Sequence, residues 1–299
     1  VVFEDSFIYY PSKYPEGRWD LAGAAARGDQ EFQIEDRIIT TGDGIRIHGW
    51  LCSPGHVEQA SSSSLLVEPE LAAGENQPQS NASSVSPFHS RTASSTTAEP
   101  MILFFHGNAG NVTDRYELIR TLMEIPARVF VLDYRGYGKS EGIPSEPGLY
   151  IDAMAAWDFL TRDLQIAPAN IAIYGESLGG AVAIDLAAQV NPGGLIVQSS
   201  FTSMSDMVSH VAPGFPRFLL HTRMDSIGKV NKIRCPKVFV HGQADELVPF
   251  DHGKRLCAAS AAPTQFYEIP GAGHNDVFET GGKAYLDKLR VFVNQSCSQ

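Results

Sequence analysis

The sequence predicts an α/β protein in which a mostly parallel central sheet is covered by helices on both faces. Three observations carry that prediction. From residue 101 onward, short apolar runs alternate with helical segments, the pattern of repeated strand–helix units. One such run, residues 171–174, leads into Gly175-Glu176-Ser177-Leu178-Gly179 and then into a helix of small residues. Two later runs end beside an acid and a histidine, Asp245 and His274. The 299 residues allow one large domain of this class, and we read 1–299 as a single domain.

The elements follow in order. Residues 1–33 hold Tyr9, Tyr10, Pro11, Tyr14, Pro15 and Trp19 without a clear period, and read as an extended strap laid on the domain. Residues 34–41 and 45–51 read as two strands around Thr41-Gly42-Asp43-Gly44, a hairpin-type turn. Residues 55–99 are dominated by serine, threonine, alanine, proline and glutamine, including the run Ser61 to Ser64. Such a segment buries too little apolar surface to offset its ordering entropy, so a mobile, disordered insert is expected there. Strands are expected at 101–105, 128–132, 171–174, 195–198, 237–240 and 265–269. Helices are expected at 114–123, 148–164, after Ser177, and at 282–294. A site should lie in the loops at the carboxyl ends of the strands.

Composition narrows the function. An apolar content of 43% and a charged content of 19% suit a globular protein with a full core. The net charge of −11 argues against nucleic acid as a partner and against electrostatic docking on anionic lipid. Cys52, Cys235, Cys257 and Cys297 form no CxxC pair and neighbour no histidine at ligand spacing, so they read as isolated thiols. No HExxH occurs, and no metal is expected. No stretch approaches the ~20 apolar residues of a membrane span. The chain opens Val1-Val2-Phe3 without methionine, so an excised upstream segment is expected, with membrane association or export through it; the compartment stays open.

The G-x-S-x-G pentapeptide between a strand and a small-residue helix is the sequence of a nucleophile elbow. A serine hydroxyl is a poor nucleophile and needs a base, which a third group must orient. Downstream, His241-Gly242-Gln243-Ala244-Asp245-Glu246-Leu247-Val248-Pro249 follows one strand and Pro270-Gly271-Ala272-Gly273-His274-Asn275-Asp276 follows the next. The order Ser, Asp, His assigns Ser177 as nucleophile, Asp245 as orienting acid and His274 as general base; Glu246 and Asp206 are the alternative acids. Acyl transfer also places negative charge on the former carbonyl oxygen, which needs preset donors. The backbone N–H of Leu178 is one, and the N–H of Asn108, in His106-Gly107-Asn108-Ala109-Gly110-Asn111, is the second. The remaining histidines, His48, His56, His89, His210, His221 and His252, lack such a setting.

These motifs, with Asp133-Tyr134-Arg135-Gly136-Tyr137-Gly138-Lys139-Ser140, resemble the α/β-hydrolase superfamily, in the group of Bem46-type and ABHD13/ABHD17-type serine hydrolases. Residues 7–19 resemble the family's N-terminal approach to the core, and the resemblance covers most of the chain outside 55–99. It implies the α/β-hydrolase fold, a triad of Ser177, Asp245 and His274, a serine carboxylesterase or thioesterase, and no cofactor. The implied partner is a small acyl ester or thioester. The cysteine-rich terminus of the ABHD17 type is absent, so protein depalmitoylation does not carry over. Arg135 and Lys139 are expected to brace loops, with Asp133 as their partner. Residues 202–232 lie where such folds insert a short cap. There Met204, Met207, Phe215 and Phe218 are candidates for an acyl pocket, or for core packing beneath the cap. A peptidase or acyltransferase using the same triad, and a non-catalytic binding scaffold, are the rival readings.

Overall fold

The computed structural model of the protein describes residues 5, 8–21, 32–55 and 99–297, all within one compact unit. The expected insert lies outside the described residues except at its two ends, as does part of the expected strap. Ten strands are named among the described residues: β1 (Tyr10–Pro11), β2 (Phe32–Thr40), β3 (Arg46–Pro54), β4 (Met101–Phe105), β5 (Ala109–Gly110), β6 (Arg128–Asp133), β7 (Ile171–Glu176), β8 (Gly194–Gln198), β9 (Lys237–Gly242) and β10 (Thr264–Ile269). Eight form one sheet in the order β10-β9-β8-β7-β4-β6-β3-β2. The six from β10 to β6 run parallel, and β3 and β2 close the edge antiparallel. This is the architecture expected from the alternating runs.

The strands alternate between two cores because side chains of a strand point to opposite faces. Met101, Leu103 and Phe105 of β4 join one apolar cluster, and Ile102 and Phe104 join the other. Helices α2 (Glu146–Asp158) and α3 (Leu178–Ala187) cover the first face with Leu149, Ala153, Val182 and Leu186. Helices α1 (Tyr116–Leu122) and α6 (Val277–Cys297) cover the second with Ile119, Leu122, Leu289 and Val293. Short α4 (Met204–Val211) and α5 (Phe250–Ala259) follow β8 and β9.

Several boundaries differ from expectation for local reasons. The helix expected at 114–123 opens as a 3₁₀ turn, Val112–Arg115, capped by the Asn111 side chain accepting from the Thr113 N–H. α2 starts earlier, at Glu146, because Ser145 caps it and Pro147 sits in its first turn. It passes into a π-helical turn, Phe159–Asp163. α6 starts five residues before Gly282, whose φ of 51° and ψ of −148° separate a first turn from the main helix.

Candidate active site

The site begins with one strained residue. Ser177 stands between β7 and α3 at φ 53° and ψ −116°, a conformation that costs a non-glycine residue about 1–3 kcal/mol. Its neighbours hold it there. Its N–H donates to the Gln198 carbonyl at 2.9 Å, and its carbonyl accepts from the Ser200 hydroxyl at 2.8 Å. The flanking glycines are required by close approach. A Cβ on Gly175 would lie 2.2 Å from the Gly179 carbonyl oxygen, and one on Gly179 would lie 2.0 Å from that of Phe105. Although Ser177 occupies the N-cap position of α3, its side chain makes no cap bond. Its Oγ instead lies 3.0 Å from His274 Nε2.

The β9 and β10 loops bring the other two groups in. The Ala244 N–H donates to the Ala272 carbonyl at 2.8 Å, tying one loop to the other. His274 Nδ1 is 2.9 Å from Asp245 Oδ2, so the Nδ1 proton faces the carboxylate and Nε2 is left to accept from Ser177. The other oxygen, Asp245 Oδ1, accepts from the N–H groups of Leu247 at 3.0 Å and Val248 at 2.8 Å. Burial opposes charge on Asp245. Hydrogen bonds from His241 and His274 and from the Val248 N–H outweigh it, holding the carboxyl well below the usual carboxylate range. Asp245 and His274 are buried while Ser177 is half-buried, so solvent reaches this line of groups at its hydroxyl end.

The loop after β4 is fixed by its carbonyls. Those of His106, Gly107, Asn108 and Ala109 accept from Tyr134 Oη at 2.8 Å, His106 Nδ1 at 2.7 Å, Tyr137 Oη at 2.8 Å and Arg115 Nη2. A trans peptide points its N–H opposite to its carbonyl, so each pinned carbonyl also aims the next N–H. Among the described residues, the N–H groups of Asn108 and Leu178 meet no acceptor. The loop passes closely over the serine: a Cβ on Gly107 would lie 3.6 Å from Ser177 Cβ. The N-terminal segment clasps the same loop, where β1 pairs with β5 and the Tyr10 N–H donates to Asn108 Oδ1 at 3.2 Å.

The other expected residues divide. Asp206 bonds Thr202 and Arg255 and does not meet His274, while Glu246 lies against Gly273. Arg135 does brace loops, but through Asp152 and Asp43; Lys139 pairs with Asp36. Asp133 serves neither cation, because it is enclosed by His48, His106 and the Val112 N–H. The four candidate pocket residues are not assembled into one apolar pocket. Met204 is in the core, Met207 packs on its edge, and Phe215 and Phe218 are exposed, Phe218 by 85%. The two rings follow Gly214, whose φ of 92° marks a turn just past α4. A groove of about 550 Å³ between β2 and α2, lined by Ile38, Ile151 and Phe159, contains none of the expected residues. Among the described residues no three His, Cys, Asp or Glu side chains cluster as metal ligands.

Sequence reasoning passed over one group. His241, at the end of β9, is fully buried with Nε2 3.2 Å from Asp245 Oδ2. The signal that could have found it is a histidine inside an otherwise apolar strand buried on both faces, four residues before Asp245.

Residues 100–225 match a family model described as alpha/beta hydrolase fold. An uncharacterized protein of Mycobacterium tuberculosis is 39% identical over 198 residues, which cover 66% of this chain and 70% of that protein. The human alpha/beta hydrolase domain-containing protein 17B is 37% identical over 204 residues, covering 67% and 68%. Among solved structures, the Pyrococcus furiosus esterase Pf2001 superposes with a TM-score of 0.66 at 15% identity, covering 96% of this chain and 98% of that one.

Proposed function

The chain belongs to the alpha/beta hydrolase family, and from that premise we propose that it is a serine hydrolase cleaving carboxylic esters or thioesters through an acyl-enzyme on Ser177. The observation that carries the reading is the continuous hydrogen-bonded line Asp245–His274–Ser177, open to solvent at its hydroxyl end. Ser177 Oγ attacks the acyl carbon as His274 Nε2 takes its proton, and Asp245 stabilises the imidazolium formed. The N–H groups of Leu178 and Asn108 receive the charge that develops on the carbonyl oxygen. His274 then gives the proton to the departing alcohol or thiol as the acyl bond to it breaks. Water, deprotonated by the same imidazole, releases the acid and restores Ser177.

Two features favour hydrolysis over a binding scaffold. The strain at Ser177 is retained, and the side chain that would ordinarily cap α3 is turned to the base instead. A scaffold has no use for either. The substrate is a small acyl ester or thioester taken from the solvent side. The Ser177→Ala variant is expected to lose p-nitrophenyl ester hydrolysis by about 10⁴-fold or more, with an unchanged thermal midpoint. Near-normal turnover in that variant would sink the mechanism.

A further inference from the structure

We propose that His241 is a positioning residue for the acid of this site, a second imidazole that fixes Asp245 and sets how strongly it pulls on His274. This rests on the triad reading above. His241 Nε2 faces two acceptors, Asp245 Oδ2 at 3.2 Å and the Val248 carbonyl at 2.9 Å, so it carries the ring proton. Its Nδ1 has no partner among the described residues. Asp245 Oδ2 thus receives the His274 proton and lies 3.2 Å from His241 Nε2, whose proton also serves the Val248 carbonyl, while Oδ1 receives two backbone protons. With three donors bonded to it and the His241 N–H beside it, the carboxylate can neither rotate nor take up a proton easily.

Tight packing keeps His241 in place. Phe250 meets its ring edge-on at 5.9 Å, and Gly253 of α5 lies directly against it: a Cβ there would sit 2.6 Å from Nδ1. The helix therefore carries a glycine where the imidazole needs the space. The titratable groups facing this arrangement are few. They are Asp245 itself, His252 on α5, Glu268 at the paired position of β10, and Glu246 and Asp276 around the His274 loop.

The consequence has a sign. Each proton donated to Asp245 reduces the negative charge it presents to His274. Removing the His241 donor leaves more charge on the carboxylate, stabilises the His274 imidazolium, and moves the acid limb of kcat/KM to higher pH. It also frees Asp245 to rotate, which lowers kcat and leaves KM nearly unchanged.

The test compares three variants on a p-nitrophenyl acetate pH profile. His241→Leu is expected to lower kcat about tenfold and to raise the acid limb by about half a pH unit. His241→Gln, whose amide N–H reaches a similar point, should recover most of both. Gly253→Ala, which keeps His241 but sets a Cβ 2.6 Å from its Nδ1 and so displaces the ring, should reproduce part of the loss, and it carries the test if His241→Leu does not fold. The downfield proton resonance of the His274–Asp245 bond should move in His241→Leu. A variant that melts lower but keeps the wild-type kcat, acid limb and resonance would show packing alone and overturn the proposal. Failure of the wild type to cleave esters or to be labelled at Ser177 by a fluorophosphonate would overturn the esterase reading instead. The resonance would still decide the positioning role, against it if unmoved.

Discussion

Asp133 at the end of β6 and Asp245 beyond β9 are each set between two histidines, yet they are built for different ends. Asp133 is fully enclosed, with His48 Nδ1 at 3.4 Å, His106 Nε2 at 3.5 Å and the Val112 N–H at 2.7 Å. Asp245 has shorter contacts, 2.9 Å to His274 and 3.2 Å to His241, and one of its histidines continues to a hydroxyl that solvent reaches. Neither histidine beside Asp133 leads to a reactive hydroxyl: His106 donates to the Gly107 carbonyl in the loop beside Ser177, and His48 continues to Asp36. Both carboxyls are held below their ordinary range, burial opposing and the histidine contacts prevailing. The same three side chains therefore make the reaction centre we propose or a brace, according to what the outer histidine touches.

The largest effect that separates them is on rate. Asp245→Asn keeps acceptors for the Leu247 and Val248 N–H groups but removes the charge behind His274. Ester hydrolysis should fall on the order of 10³–10⁴-fold. Asp133→Asn should act on stability first, at about 3 kcal/mol, since it replaces a fully buried carboxylate on which His48, His106 and the Val112 N–H converge. The activity of its folded fraction, counted by fluorophosphonate labelling, should change far less than that of Asp245→Asn. Chemical denaturation and steady-state kinetics on the two variants check both halves. Equal rate losses would erase the distinction between reaction centre and brace.

The Asp245–His274–Ser177 arrangement was legible in the sequence, and the Asp133 brace was not. Ser177, Asp245 and His274 are marked by glycines that close approach demands and by their places just past strand ends. The hairpin was legible through its turn residues, and the parallel strands through short apolar runs alternating with helical segments. The partners of Asp133 were not, because His48 lies 85 residues away in the chain and no local pattern links them. Arg135 misled for the same reason, since its partner Asp43 is 92 residues distant. α5 was missed because its buried face is made by His252, Gly253 and Leu256 rather than by an aliphatic stripe. The cap aromatics misled in the opposite direction. Hydrophobicity says that Phe218 prefers burial, but a short exposed segment supplies nothing to bury it.

Acid sharpens the comparison least in magnitude but most directly in charge. A carboxyl whose pKa is lowered on folding adds stability that is complete above its unfolded value near 4, and that is lost as pH falls through the folded value. Asp245 is such a group, held ionised chiefly against its own burial by the His241 and His274 contacts. Asp245→Asn cannot ionise, so the variant lacks this contribution at every pH. The stability gap between wild type and Asp245→Asn should be widest above pH 5, on the order of 2 kcal/mol, and should narrow steadily as pH falls below about 4. Thermal midpoints of both proteins at matched ionic strength between pH 6 and pH 2 read the gap directly. A gap that stays constant would mean that Asp245 titrates alike in the folded and unfolded chains. The donors around it would then position a carboxylate without stabilising its charge, and the contrast with Asp133 would rest on geometry alone.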